Sequence, residues 1–133
     1  MLSPQPQLPP HAPRVLIVDD EAAILEVTHR MARSIGWRAL LADSSAQAMA
    51  TFREHADEIS CVLLDLHMPG VDGVELSRSL RSIRPGLRIV LMTGDDPSCV
   101  PNAAHPDAPD HVLTKPFLLH DLEEALVRRA QAA

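Results

Sequence analysis

The stretch Val62-Leu-Leu-Asp65-Leu-His-Met-Pro69-Gly70-Val-Asp-Gly73 constrains this chain more than any other. Val62, Leu63 and Leu64 form a continuous apolar run, the pattern of a strand buried on both faces of a parallel sheet. The run stops at a carboxylate, turns through Pro69-Gly70 and enters a helix. Asp72 and Glu75 have capping-box spacing, and Leu76, Leu80 and Ile83 follow at helical intervals. Asp65 therefore sits where a strand ends and its loop begins, the edge at which open α/β sheets bind ligands.

The same punctuation recurs along the chain. Arg14-Val-Leu-Ile-Val18 ends at Asp19-Asp20-Glu21, and the next helix carries Ile24, Val27, Met31 and Ile35 on one stripe before Gly36 stops it. Trp37–Ala42 reads as a second strand. Ser44 and Gln47 then open a helix that buries Ala48, Met49 and Phe52. Leu87–Met92 is a fourth strand running into Thr93-Gly94-Asp95-Asp96. His111–Thr114 is a short fifth strand meeting Lys115-Pro116-Phe117, and an amphipathic helix follows from about Leu119 through Leu122 and Leu126. Repeated βα units joined by right-handed crossovers predict an α/β fold, a three-layer, doubly wound, five-stranded parallel sheet. Residues 1–13 hold five prolines and little to bury, which predicts a disordered tail or linker ahead of a single domain at 14–133.

Composition narrows the function classes. A formal charge of −6 on 133 residues argues against a general nucleic-acid binder, which needs a basic face, and leaves only a local basic patch open. Arg81, Arg84 and Arg88, near one helix end, read as a solvated face. No apolar run approaches the roughly 18 residues of a membrane span, and no signal-peptide core opens the sequence. A cytoplasmic protein is expected. Cys61 and Cys99 have no metal spacing; Cys61 reads as a small buried residue and Cys99 as a loop thiol. No pair of histidines has metal spacing either.

Each informative polar residue directly follows a strand: Asp19 and Asp20 the first, Asp65 the third, Thr93 the fourth and Lys115 the fifth. In a parallel sheet all of them project from one edge. Three carboxylates converging there repel unless a cation intervenes. Hard oxygen donors with little His or Cys suit Mg²⁺, which leaves positions for phosphate oxygens. Lys115 is the only lysine beside eleven arginines and offers a mobile point charge to a phosphoryl group. With the Thr93 hydroxyl, these groups make a site for phosphoryl transfer to Asp65.

The segments Val15–Glu21, Leu63–Gly73, Met92-Thr93-Gly94 and Thr114–Phe117, in this order and spacing over residues 14–130, resemble a response-regulator receiver domain of two-component signalling. The resemblance implies the flavodoxin-like strand order 2-1-3-4-5 and a cis Lys115–Pro116 bond. It makes Asp65 the phosphoacceptor, Thr93 the switch hydroxyl and Lys115 the counter-charge. The metal, Mg²⁺ or Mn²⁺, would be held by Asp20 and Asp65, by Asp19 mainly through water, and by the His67 backbone carbonyl. Implied partners are a histidine kinase or its receiver-docking domain and a downstream protein target. Neither nucleic acid nor membrane is engaged directly, and a homodimer is compatible. The chain would be no enzyme beyond its own aspartyl phosphorylation and dephosphorylation, and His67 and Asp95 would tune the phosphoryl lifetime.

Two positions depart from the family pattern. Val112 stands where an aromatic rotamer switch is common. Pro97, Pro101, Pro106 and Pro109 crowd the segment of the fourth helix, where an interior proline costs about 3 kcal/mol. A short, distorted or mobile helix is expected between strands four and five, on a face commonly used for output or dimerisation. The chain is read as a stand-alone receiver or part of a larger kinase or regulator, with the Pro-rich front favouring an upstream module. Those departures keep open a phosphorylation-independent pseudo-receiver, a protein-binding module. A haloacid-dehalogenase-type phosphatase wants a second Asp where His67 stands. A dinucleotide-binding protein lacks its GxGxxG after the first strand.

Overall fold

The computed structural model describes residues 8–70, 72–94, 100 and 105–131, the last of these, from 127, as backbone. Five parallel strands run β1 Arg14–Val18, β2 Arg38–Ala42, β3 Ile59–Asp65, β4 Arg88–Thr93 and β5 His111–Thr114. Their order across the sheet is β2-β1-β3-β4-β5. Among the described residues four helices flank it: α1 Ala22–Ser34, α2 Ser45–His55, α3 Gly73–Ile83 and α4 Leu119–Gln131.

Alternation along the strands divides the core in two. Leu16, Val18, Val62, Leu64, Ile89 and Leu91 face the side covered by α2 and α3, where Ala48, Phe52, Leu76 and Leu80 pack. Val15, Ile17, Cys61, Leu63, Val90 and Met92 face the other side, against Leu25 and Ala32 of α1 and Leu122, Ala125 and Leu126 of α4. The central strands read as unbroken apolar runs because both faces are dry. The expected three-layer architecture is the observed one.

The helix signals act mostly as read. Asp72 accepts from the amides of Val74 and Glu75. Ser44 accepts from Gln47 N–H, while the Gln47 carboxamide reaches back to the amide of Asp43 rather than Ser44. At the end of α1, Trp37 N–H donates to Ala32 and Gly36 N–H to Arg33. This is a Schellman closure with Gly36 at φ 92°. The α1 stripe is displaced, however. Leu25, Thr28 and Ala32 are the buried positions, Ile24 and Met31 lie at their edge, and Val27 is 55% exposed. Ile83 of α3 likewise faces out, its place in the buried stripe taken by Ser77.

Packing begins ahead of Arg14. Ala12 is buried, its N–H donates to Pro9, and Arg38 donates to the carbonyls of Ala12 and Pro13. The Pro-rich residues 1–7 lie outside the described residues. So do most positions of the expected fourth helix, including Asp95 and Cys99. Among the described residues of that connection none is helical, and residues 105–107 form a turn.

The arginines read as a solvated face are internal ties, because a guanidinium with five donors can satisfy several carbonyls at once. Arg81 bonds Leu87 O, Ala108 O and Asp110, and Asp110 also accepts from Ile89 N–H. Arg84 donates to Ala56 O and Ile59 O. Arg88, 8% exposed, donates twice to Ala125 O of α4. Arg78 pairs with Asp107. The clamp of Arg78 and Arg81 holds residues 105–110 on α3 and delivers the chain to β5.

Arg81→Ala should lower the unfolding free energy by about 2 kcal/mol, since carbonyls and a carboxylate lose a charged donor; urea denaturation measures this. Asp107 is held below the ordinary aspartate range by the Arg78 hydrogen bond, against a smaller cost of burial. Its contribution is therefore present above the unfolded aspartate value of about 3.9 and is lost as pH falls through the lower folded value. Asp107→Asn should be less stable than wild type at pH 6, with the gap closing as pH falls below about 3.9.

Candidate functional site

Parallel register brings the site together. Val18 is level with Leu64, so Asp19 and Asp65 follow side by side. Asp65 is level with Met92 and Thr93 with Thr114, which sets Lys115 one step beyond. Ladder bonds continue past the strand ends: Asp19 N–H to Ala42 O at 3.1 Å, Leu66 N–H to Met92 O at 2.9 Å, Lys115 N–H to Thr93 O at 2.7 Å. The backbone of each site residue is thereby fixed by its neighbour.

The helix after β3 closes the edge. A Cβ on Gly73 would lie 3.0 Å from Leu66 Cα and 3.3 Å from Asp65 O. The first turn of α3 thus rests on the backbone that carries Asp65. A side chain there would force this backbone to give by a few tenths of an ångström.

Asp19 is fully buried, Asp65 and Thr93 are buried, and Asp20 is exposed. Lys115 Nζ lies 2.6 Å from Asp19 Oδ2 and 3.3 Å from Asp65 Oδ2, and it is the cation standing between the two buried carboxylates. Burial opposes its charge, but the Asp19 hydrogen bond and the charges of Asp65 and Asp19 outweigh that and raise its pKa above the ordinary lysine value. Asp19 Oδ1 accepts from Glu21 N–H at 3.0 Å, and Asp65 Oδ1 from His67 N–H at 2.9 Å. The His67 Nε2 lies 3.3 Å from Thr93 Oγ1. The Lys115–Pro116 bond is cis, as the resemblance implies.

Carboxylate oxygens of Asp19, Asp20 and Glu21 lie within 4.8 Å of one another. An all-oxygen, partly open donor set fits a hard divalent cation. Glu21, the last residue of the Val15–Glu21 motif, joins the cluster although the resemblance implies no role for it. Asp65 is not one of the three clustered acids; Lys115 and the His67 amide occupy its two oxygens. The sequence-predicted set of Asp19, Asp20, Asp65, His67, Thr93 and Lys115 is thus gathered at one edge.

A doubly wound parallel domain with acids, a threonine and a lysine at its carboxyl edge defines the class, and the comparisons agree. The family pattern for the response regulator receiver domain matches residues 15–127. The probable transcriptional regulatory protein TcrX of Mycobacterium tuberculosis is 32% identical over 86% of this chain and 50% of its own length. Response regulator MprA of Mycolicibacterium vanbaalenii is 34% identical over 87% of this chain and 51% of its own. Among solved structures, a receiver domain protein from Clostridium thermocellum superposes with TM-score 0.83 at 26% identity, over 90% of this chain and 95% of that one. Response regulator TrrA of Thermotoga maritima, in complex with Mg²⁺-BeF, gives 0.76 at 25% identity, over 88% and 98%. This chain belongs to the response-regulator receiver family. It spans about half the length of the curated relatives it matches.

Lys115→Ala should cost about 1.5–3 kcal/mol at neutral pH, the worth of hydrogen bonds to a charged group. Because the folded pKa is raised, Lys115 contributes fully below its unfolded value of about 10.4 and ceases to contribute as pH rises through the folded value. The wild-type-minus-variant gap in urea denaturation should be flat from about pH 7 to 9 and shrink above about pH 10.4.

Proposed function

We propose that this receiver accepts a phosphoryl group on Asp65 from a histidine-kinase phosphohistidine or a small phosphodonor, and that the aspartyl phosphate switches its conformation. The observation that carries the reading is the buried Asp65 carboxylate with Lys115 Nζ at 3.3 Å, beside the acidic cluster at 19–21. An Asp65 oxygen attacks phosphorus, and the O–P bond forms as the donor P–N bond breaks. The electron pair returns to the donor imidazole nitrogen, which takes up a proton. Lys115 then pairs with the phosphoryl oxygens, and Thr93 hydrogen-bonds to the same group, both drawing their loops inward. Asp19, Asp20, Asp65 and the His67 carbonyl would hold Mg²⁺ or Mn²⁺, with Glu21 adjoining. The bound ion would neutralise phosphoryl charge during transfer.

A kinase must reach this edge. An apolar groove of about 320 Å³ lined by Ile24, Val27, Met31 and Phe117 shares Lys115 with the site. The exposed Val27, unexplained by the core, fits a surface for the phosphodonor domain. A cytoplasmic location follows from this reading; no helix among the described residues is long and apolar enough to cross a membrane. The gathering of Asp19, Asp20, Asp65, Thr93 and Lys115 at one edge supports phosphoacceptance over the pseudo-receiver alternative.

Intact mass after incubation with acetyl phosphate and Mg²⁺ tests the reading. One phosphoryl adduct is expected on wild type and none on Asp65→Asn or without metal. No adduct, together with no binding of beryllofluoride and Mg²⁺, would favour a pseudo-receiver. Val27→Asp should slow transfer from a cognate kinase at least tenfold and leave acetyl phosphate labelling intact; equal loss from both donors would contradict kinase docking there. His67→Ala should still accept the group but change its decay rate, which an unchanged lifetime would refute.

A further inference from the structure

His67 is exposed, yet its side chain makes a specific contact inside the site. Its backbone N–H holds Asp65 Oδ1 at 2.9 Å and its imidazole Nε2 meets Thr93 Oγ1 at 3.3 Å. One residue thus contacts both the acceptor carboxylate and the hydroxyl that has to move. The ring is on an exposed residue, whereas Thr93 is fully buried with its carbonyl held by Lys115 N–H.

Building on the proposed phosphoacceptor function, we infer that His67 is a positioning residue for Thr93, holding the switch hydroxyl in its unphosphorylated arrangement so that phosphoryl capture must break the His67–Thr93 hydrogen bond. A hydroxyl has one proton to donate. If Nε2 is bare, donation to it and donation to a phosphoryl oxygen exclude one another. If Nε2 carries the proton, Thr93 accepts from it and keeps its own proton for the phosphoryl group, and the bond is lost only when the hydroxyl turns away from the ring. The bare tautomer opposes the switched state directly, the protonated one only through that turn. The exposed ring regains water when it lets go, so the restraint is that of one solvent-compensated hydrogen bond, about two- to tenfold in an equilibrium.

The contact exists only in one of the two states, which gives it a signature. The affinity for beryllofluoride with Mg²⁺, a phosphoryl mimic, should be measured by calorimetry on the whole chain. Wild type, His67→Ala, Thr93→Ala and the double variant close a cycle. His67→Ala should tighten binding about two- to tenfold when Thr93 is present and leave it unchanged in the Thr93→Ala background. His67→Gln, whose amide can reach the same hydroxyl, should restore the wild-type value. An equal effect in both backgrounds would place His67 on the metal or the phosphoryl group and overturn the inference. So would unchanged or weaker binding in His67→Ala alone. Failure of wild type to bind the mimic at all would defeat the phosphoacceptor reading together with this one, a distinct result.

Discussion

Residues 96 positions apart meet at 2.6 Å in the ion pair of Lys115 and Asp19, and the rest of the molecule is arranged to allow it. A fully buried carboxylate is costly without a partner. Its partner arrives only if β1, β3, β4 and β5 lie parallel, in register, with their carboxyl ends at one edge. The two apolar layers supply that alignment. Helices α2 and α3 cover one face and α1 and α4 the other, and each strand is fixed by side chains on both sides. The charged site therefore rests directly on the packed core on its strand side. It can change only through the loops that leave the edge.

Those loops are anchored unequally. The β3–α3 loop is short and is pressed onto Asp65 by the approach of Gly73. The connection from β4 to β5 is long and rich in proline, and its last residues are tied to α3 by Arg78 and Arg81. The clamp fixes where β5 begins, and with it the level of Lys115. An arginine on the far side of the sheet from α4 thereby helps place the lysine on which the site's charge balance depends.

Much of this was legible in the sequence because strand ends carry their chemistry. Four of the five strands end at or just before a residue that the site gathers, so Asp19, Asp65, Thr93 and Lys115 could be placed without knowing the register. Caps were legible too, since Asp72, Ser44 and Gly36 act through local backbone geometry. What failed was rotation about a helix axis. Ile24, Val27 and Met31 form as good an apolar stripe as Leu25, Thr28 and Ala32, and periodicity alone cannot prefer the one containing a threonine. The arginine ties were also missed. A guanidinium that binds carbonyls of distant segments looks, in sequence, like any charge on a helix face. Glu21 passed as part of a motif, and only the spatial cluster with Asp19 and Asp20 gives it a place.

Asp65, among several neighbouring acids, is the group proposed to receive phosphoryl. An acyl phosphate is reduced by borohydride to an alcohol, which converts a phosphorylated aspartate to homoserine. Sequencing of peptides from phosphorylated, borohydride-treated protein should find homoserine at position 65 and aspartate unchanged at 19, 20 and 72. Homoserine at another of these acids, or phosphate retained on His67, would contradict the assignment.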